Sequence, residues 1–320
     1  MILTVTLNPA VDMTWRVDAL TPGATHRVPT GSSRAGGKGV NVARVLYAQG
    51  HEVLALSTVG GANGAMFEDE LRASGIPHRL IRVSAPTRRS IALVDDSRGE
   101  TTVLNEHGSA LAPVQVAALA ATATRLGHRA RAVAISGSLP PGFDPEQLGA
   151  LVAGLVVAGT PVVVDTSGAG LRAAARAGAT ALKPNAEELA EATGEADPLA
   201  GARSLLALGA RLVVVTLGGD GLVLLDRTHP PLQARLPRPL HGNATGAGDA
   251  AVAAITAALA AGTDLEGDPE RSASARMDLA RRATAWSASA VLMPLAGELS
   301  PDHAALEAEV AVRPLEEEPR

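Results

Sequence analysis

Cysteine is absent from the 320 residues. That excludes disulfide staples, thiolate zinc sites and a cysteine nucleophile. Aromatic residues make up only 2% of the chain, which argues against a base-stacking platform for single-stranded nucleic acid. The core has to be assembled from Ala, Val and Leu instead. No basic run occurs and the formal net charge is −5, so nucleic acid is not expected as a partner. An anionic small molecule stays open, because local charge at a site matters more than the total. The eight histidines are scattered without metal-ligand spacing and are expected mostly on the surface or in loops. The longest apolar stretch, LGALVAGLVVAGTPVVVD, is interrupted by Gly159 and Pro161. It reads as helix, turn and strand rather than a membrane span. The opening MILTVTLNPAVDMTW lacks a basic n-region and breaks at Asn8-Pro9, unlike a signal peptide. A cytoplasmic protein with no membrane partner is expected.

What is present is patterned. Apolar residues make up 46% of the chain, enough for a large core. Short β-branched runs at 2–7, 53–60, 132–136, 161–165, 211–218 and 221–225 read as strands. Helical segments are expected at 39–49, 64–74, 113–126, 145–157, 186–192 and 198–208. The runs do not alternate with polar residues, so the strands are covered on both faces. The β–α succession implies an α/β fold with a mostly parallel sheet. From 245 onward the chain reads as entirely helical, and 313–320 as a frayed tail, leaving one domain over 1–312. Residues 11–34 and 87–106 break the pattern and look like short strands with polar faces. They suit either a lid that shuts water out of a site or ordinary surface hairpins.

In open α/β sheets ligands sit beyond the carboxyl ends of the strands, where the unusual clusters of this chain lie. In NATGAGDA, Gly246 and Gly248 allow a tight turn that brings amide N–H groups to an anion. The helix that follows, 250–261, directs the positive end of its dipole there. Asp249 is then either a helix cap or a base that takes a hydroxyl proton as a phosphoryl group arrives, ionised at neutral pH if its pKa stays near ~3.9. RAGGKGVNVARVL at 34–46 has neither Walker A nor dinucleotide spacing, and no strand is expected before it. Its glycines suit a sugar laid against bare backbone with Asp12 and Asn41 on the hydroxyls, or a simple helix start. In LKPNAEEL, after a short strand, Asn185 and Glu188 fit a capping box. The functional alternative sets Lys183 and Asn185 near nucleotide phosphates and Glu188 on a magnesium-bound water. VTLGGDG at 215–221 and SGSLPPG at 136–142 are strand-end turns that suit phosphate contacts or plain hairpins.

Together LNPAVD, GGKGVNVARVL, SGSLPPG, LKPNAEEL, TLGGDG and NATGAGDA stand in an order that resembles the ribokinase/PfkB carbohydrate kinases. The resemblance runs from residue 1 to about 300. It is strongest to the branch that phosphorylates ketohexose phosphates such as fructose 1-phosphate and tagatose 6-phosphate. It implies a ribokinase-like sheet with helices on both faces, a small β lid that often forms a homodimer interface, and ATP with Mg²⁺ as phosphoryl donor. Asp249 resembles the catalytic base and the amides of Gly246, Ala247, Gly248 and Asp249 the anion hole. Asp12, Gly37, Lys38 and Asn41 would line the sugar site. Lys183, Asn185, Thr216, Gly218 and Gly221 would follow the nucleotide, with Glu188 near the metal. In PTRRSIAL, Arg88 resembles the cation that grips the substrate's phosphate. Arg89 would point to the opposite face of the same strand. Arg27 resembles a lid cation that acts across a dimer. The expected reaction is ATP-dependent phosphorylation of fructose 1-phosphate, with tagatose 6-phosphate or fructose 6-phosphate as alternative acceptors and a non-catalytic sugar-phosphate sensor as the rival. Ala250 and the AWSASAVLMPLAGELSP segment depart from the branch, which leaves the adenine contacts unassigned.

Overall fold

The computed structural model describes residues 1–238, 240–265 and 269–315. The chain opens with β1 (Ile2–Thr6), β2 (Ala10–Val17), β3 (Ser32–Gly36), α1 (Lys38–Ala48), β4 (Val53–Val59), α2 (Gly61–Ala73) and β5 (His78–Arg82). The middle holds β6 (Arg88–Asp95), β7 (Glu100–Asn105), α3 (Pro113–Gly127), β8 (Ala132–Ser136), α4 (Pro145–Val157), β9 (Val162–Asp165) and α5 (Gly168–Arg176). Next come β10 (Ala181–Leu182), α6 (Ala186–Thr193), α7 (Pro198–Leu208), β11 (Leu212–Thr216), β12 (Leu222–Leu225) and β13 (Leu232–Arg235). The last elements are α8 (Ala247–Ala260), α9 (Pro269–Val291), α10 (His303–Glu309) and β14 (Ala311–Pro314).

Ten strands form the main sheet in the order β14-β13-β12-β11-β10-β9-β8-β1-β4-β5. The pairs from β11 through to β5 are parallel, and β12, β13 and β14 add an antiparallel edge. The unbroken apolar runs are the reason: β1, β8, β9 and β12 are buried at every position, so both sheet faces must be covered. On one face Leu3, Val5, Ile135, Val162 and Val164 join one core cluster, and on the other Ile2, Ala134 and Val163 join a second. Burying each such Val, Leu or Ile is worth about 1.5–3 kcal/mol. With almost no aromatics, close approach replaces bulk. All of α8 from Asp249 to Ala260 is buried, as an alanine helix apolar on all sides should be.

The stretches singled out as a lid carry strands of a second sheet, ordered β3-β2-β6-β7. Its apolar face packs Val11, Ala35 and Met13 on Phe67 and Leu71 of α2. One rung runs Arg34–Asp12–Ser90–Asn105 across all four strands. Residues paired directly share a face, so these four stand together on the other side.

Several expectations need correction. Residues 18–31 form no strand, so only the ends of 11–34 are lid strands. A strand does precede the GGKG turn, namely β3. The last third is not entirely helical, because Ala311–Pro314 pairs antiparallel with β13. The boundary at 312 therefore falls inside a strand, and the tail residues 313 and 314 are ordered by that pairing. The rest of that tail, 316–320, lies outside the described residues, as do 266–268 of the polar insert. No helix among the described residues is long and apolar enough to cross a membrane.

Candidate active site

The parallel strands end at one cleft of about 1130 Å³. Asn8 follows β1, Gly137 follows β8, Asp165 closes β9, Lys183 follows β10 and Thr216 closes β11, and all five line it. The cleft face of the lid forms one wall through Asp12, Arg88, Ser90 and Asn105. The start of α8 forms another, so every expected site residue except Arg27 borders this one space. Arg27 sits exposed in the 18–31 loop and does not line the cleft of its own chain.

At the centre is Asp249, 5% exposed in the first turn of α8. It does not cap the helix: the N-cap is Gly246, with φ 88°. A side chain at Gly246 would be strained in that left-handed conformation, and its Cβ would lie 2.9 Å from Ala296 Cα. Asn41 Nδ2 donates to Asp249 Oδ2 at 2.8 Å, so Asn41 orients the carboxylate rather than waiting for solvent. Burial pushes the Asp249 carboxyl up to about 6, helped by the negative charge of Asp165 and opposed by Lys38, Asn41 and Lys183. The value near ~3.9 expected for a solvated acid therefore does not hold. The Ala247 N–H is already given to Ala244 O at 3.2 Å. The first-turn amides of Gly248 and Asp249 have no carbonyl within their own helix to meet, so of the four amides expected to hold an anion these two are the best placed to do so. A Cβ on Gly248 would stand 3.3 Å from Lys183 Nζ, and glycine leaves that lysine room.

Asp165, which the sequence reading passed over, organises the cations. It is fully buried, and its Oδ1 takes Lys183 Nζ at 3.3 Å and Lys38 Nζ at 3.4 Å. Burial works against its charge, but the two lysines outweigh it and hold the carboxyl below the usual range. Burial also opposes the charge on Lys38, yet Asp165, Glu188 and Asp249 together raise its pKa. Asn185 and Glu188 do form a capping box: Glu188 N–H donates to Asn185 Oδ1 at 2.7 Å and Asn185 N–H to Glu188 Oε2 at 3.0 Å. The remaining oxygen, Oε1, accepts from Lys38 at 3.0 Å. The only sign of Asp165 in the sequence is an acid closing the apolar strand VVVD.

At the lid end, Arg88 donates to Asn8 O through Nε and Nη2, both at 3.3 Å, and to Glu106 O through Nη1 at 3.1 Å. Carbonyls hold the guanidinium without neutralising it. Arg89, on the other face, pairs with Glu106 at 2.7 Å. Burial pushes Asp12 up to about 6 against the pull of Arg88, Arg44 and Arg34. A Cβ on Gly36 would come within 2.0 Å of the Asp12 carboxylate, so that glycine is what admits the acid. The 3₁₀ turn Gly218–Asp220 links β11 to β12 as an antiparallel hairpin, and its glycines face the cleft.

No group of three or more acidic or histidine side chains among the described residues has the geometry of a metal site. A magnesium ion asks for less, one or two carboxylates with waters and substrate phosphates. Asp165 Oδ2 is buried without a hydrogen-bond partner, and Asp165 lines the cleft. That orphaned oxygen fits such an ion. Glu188 fits only if Lys38 lets go of Oε1.

Comparison with known proteins agrees with this geometry. A family model described as pfkB family carbohydrate kinase matches residues 5–275. A 1-phosphofructokinase of Xanthomonas campestris pv. campestris is 40% identical over 266 residues, 80% of this chain and 83% of that protein. One of Rhodobacter capsulatus is 36% identical over 306 residues, 94% of this chain and 92% of that protein. Phosphofructokinase-2 from Escherichia coli, solved in complex with fructose-6-phosphate, is similar in structure with a TM-score of 0.84 at 28% identity, covering 96% and 98% of the two chains.

Proposed function

The chain belongs to the pfkB family of carbohydrate kinases, and from that premise we propose that it transfers the γ-phosphoryl group of ATP to the free primary hydroxyl of fructose 1-phosphate, giving fructose 1,6-bisphosphate. The observation that carries the reading is Asp249 itself. It is a buried carboxylate with a raised pKa, oriented by Asn41, at the start of a helix and lining a cleft that Arg88, held by backbone carbonyls, also lines.

Phosphoryl transfer needs positioning and charge stabilisation more than covalent chemistry. Arg88 grips the phosphate already on the sugar with its remaining N–H groups. Asp12 and the bare backbone of Gly37 hold sugar hydroxyls and leave the free primary hydroxyl at Asp249. The Asp249 carboxylate takes that hydroxyl's proton as its oxygen bonds to phosphorus and the bond to the ADP oxygen breaks. A base with a pKa of about 6 is mostly ionised at neutral pH and still a competent acceptor. The Gly248 and Asp249 amides and Lys183 face the charge that builds on the transferring group. Lys38 stays on the sugar side of the cleft, and Asn185, Thr216, Gly218 and Gly221 follow the phosphate chain of the nucleotide. Asp165 and Glu188 would hold the magnesium ion, which when bound neutralises phosphate charge and fixes the phosphates in line.

Arg27 has no role in its own cleft. Lid-to-lid pairing of two chains would give it one, by bringing it to the neighbouring cleft. Leu104, 56% exposed on the outer lid face, suits such a homodimer interface.

The test is ADP release with fructose 1-phosphate, tagatose 6-phosphate, fructose 6-phosphate and free fructose as acceptors. The highest kcat/KM is expected for fructose 1-phosphate and almost none for free fructose, which offers Arg88 no phosphate. A higher value for either 6-phosphate would reassign the substrate, and no ADP release with any sugar would leave a sensor.

A further inference from the structure

Arg34 stands on the same lid rung as Asp12, but its bonds lead elsewhere. Its Nη1 donates to Ala296 O at 3.1 Å and to Glu298 Oε1 at 3.0 Å. Ala296, Gly297 and Glu298 belong to the irregular segment after α9. That segment braces the catalytic turn from behind. The Cβ position of Gly246 lies 2.9 Å from Ala296 Cα and 3.2 Å from Gly297 N. The Cβ position of Gly297 lies 2.9 Å from Arg44 Cδ and 3.3 Å from Asn41 Cα. The segment is thus wedged between the glycine that opens α8 and the helix that carries Asn41. A guanidinium on lid strand β3 holds the wedge. Strand β3 is anchored to α2 in turn, since Glu70 accepts the Ala35 N–H at 3.0 Å and pairs with Arg44.

We propose that Arg34 is a positioning residue for phosphoryl transfer. Through Ala296 and Glu298 it ties the lid to the segment that seats Gly246, so the amides of 248 and 249 reach their reacting arrangement only while β3 is docked. This rests on the reading that Asp249 and those amides carry the chemistry. Arg34 acts without touching substrate. Losing it leaves the sugar's own contacts at Asp12 and Arg88 in place, with Asp12 giving up only the weakest of its three cationic neighbours, and the main loss falls on the transition state.

The consequence is a split between kcat and KM that a purely structural arginine would not give. Arg34→Met keeps the apolar stem and removes the donors. With ATP and fructose 1-phosphate, its kcat should fall about 10- to 100-fold, the scale of a small misplacement at a reacting centre, while KM for the sugar phosphate changes less than about threefold. Glu298→Gln, which removes the charge from the contact but keeps an acceptor, should lose about 3- to 10-fold, and the double variant should be no slower than Arg34→Met alone, because both act on one shared contact. Arg34→Lys, which keeps a donor, should recover part of the rate. If Arg34→Met does not fold, Glu298→Gln and Arg34→Lys carry the same test. An Arg34→Met enzyme with normal kcat, a loss confined to KM, or losses that multiply in the double variant would overturn the proposal. Asp249→Asn in parallel keeps the two readings apart: a normal rate there sinks the base assignment alone. If the wild type prefers another sugar phosphate, that sugar replaces fructose 1-phosphate and the comparison is unchanged.

Discussion

Asp249 shows what burial does to an acid at the start of a helix. Its folded pKa of about 6 lies above the 3.8 of an unperturbed aspartate. The folded chain therefore binds this proton more tightly than the unfolded chain. Stability from this site is greatest below pH ~4 and is lost as pH rises through about 6. At pH 7 the ionised carboxylate is a cost to folding, which the proposed role as base accounts for. Asp249→Asn should therefore be more stable than wild type at pH 7, by about 1–3 kcal/mol, with the difference vanishing near pH 4. Urea unfolding at both pH values checks this, and a variant less stable at pH 7 would mean that the lysines and Asn41 outweigh burial. Arg88 makes a different case. Its carbonyl partners leave its charge for a phosphate, so Arg88→Ala removes a charged hydrogen-bond set worth about 1.5–3 kcal/mol. The kcat/KM for the sugar phosphate should fall about 10- to 150-fold with little change in melting temperature; an unchanged value would shift the phosphate to Lys38. At this scale the sequence was readable where a rare residue sits in a glycine-rich turn, as at Lys38, Asn41 and Asp249. It was silent on Asp165 and Arg34, whose roles come from partners 127 and 262 positions away in the chain.

Elements were legible in proportion to how local their signals are. Helix α4 begins where Asp144, Pro145 and an apolar run coincide, with Asp144 Oδ1 accepting the Glu146 N–H at 2.9 Å. Strands β4, β8 and β11 declare themselves by β-branched runs. Four elements went unseen. Helix α5, GAGLRAAAR, is rich in small residues and begins with glycines that also suit a turn. Strands β5, β13 and β14 are short, mixed in polarity or flanked by proline, and the pairing that makes them strands is non-local. The same reason explains β3: SSRAG looks like loop until β2 lies beside it. A strand there matters, because it gives the GGKG turn a fixed platform and sets Asp12 beside Gly36.

For the molecule as a whole, the proposed reaction sits where the main sheet ends, and the lid supplies the proposed grip on the substrate's phosphate. Five parallel strands end at one cleft, while the small sheet contributes a polar wall that includes Arg88. The acid, its lysines and the helix start come from the main sheet and its helices, where all of α8 from Asp249 onward is buried. The proposed sugar contacts Asp12 and Arg88 come from the smaller sheet. Steady-state turnover of fructose 1-phosphate by Asp249→Asn at saturating ATP tests that division most directly. The account predicts that kcat drops about 10²–10⁴-fold in a variant that folds normally. A rate within a few-fold of wild type would contradict it, since among the described residues Asp249 is the one buried carboxylate of the cleft in a helix's first turn.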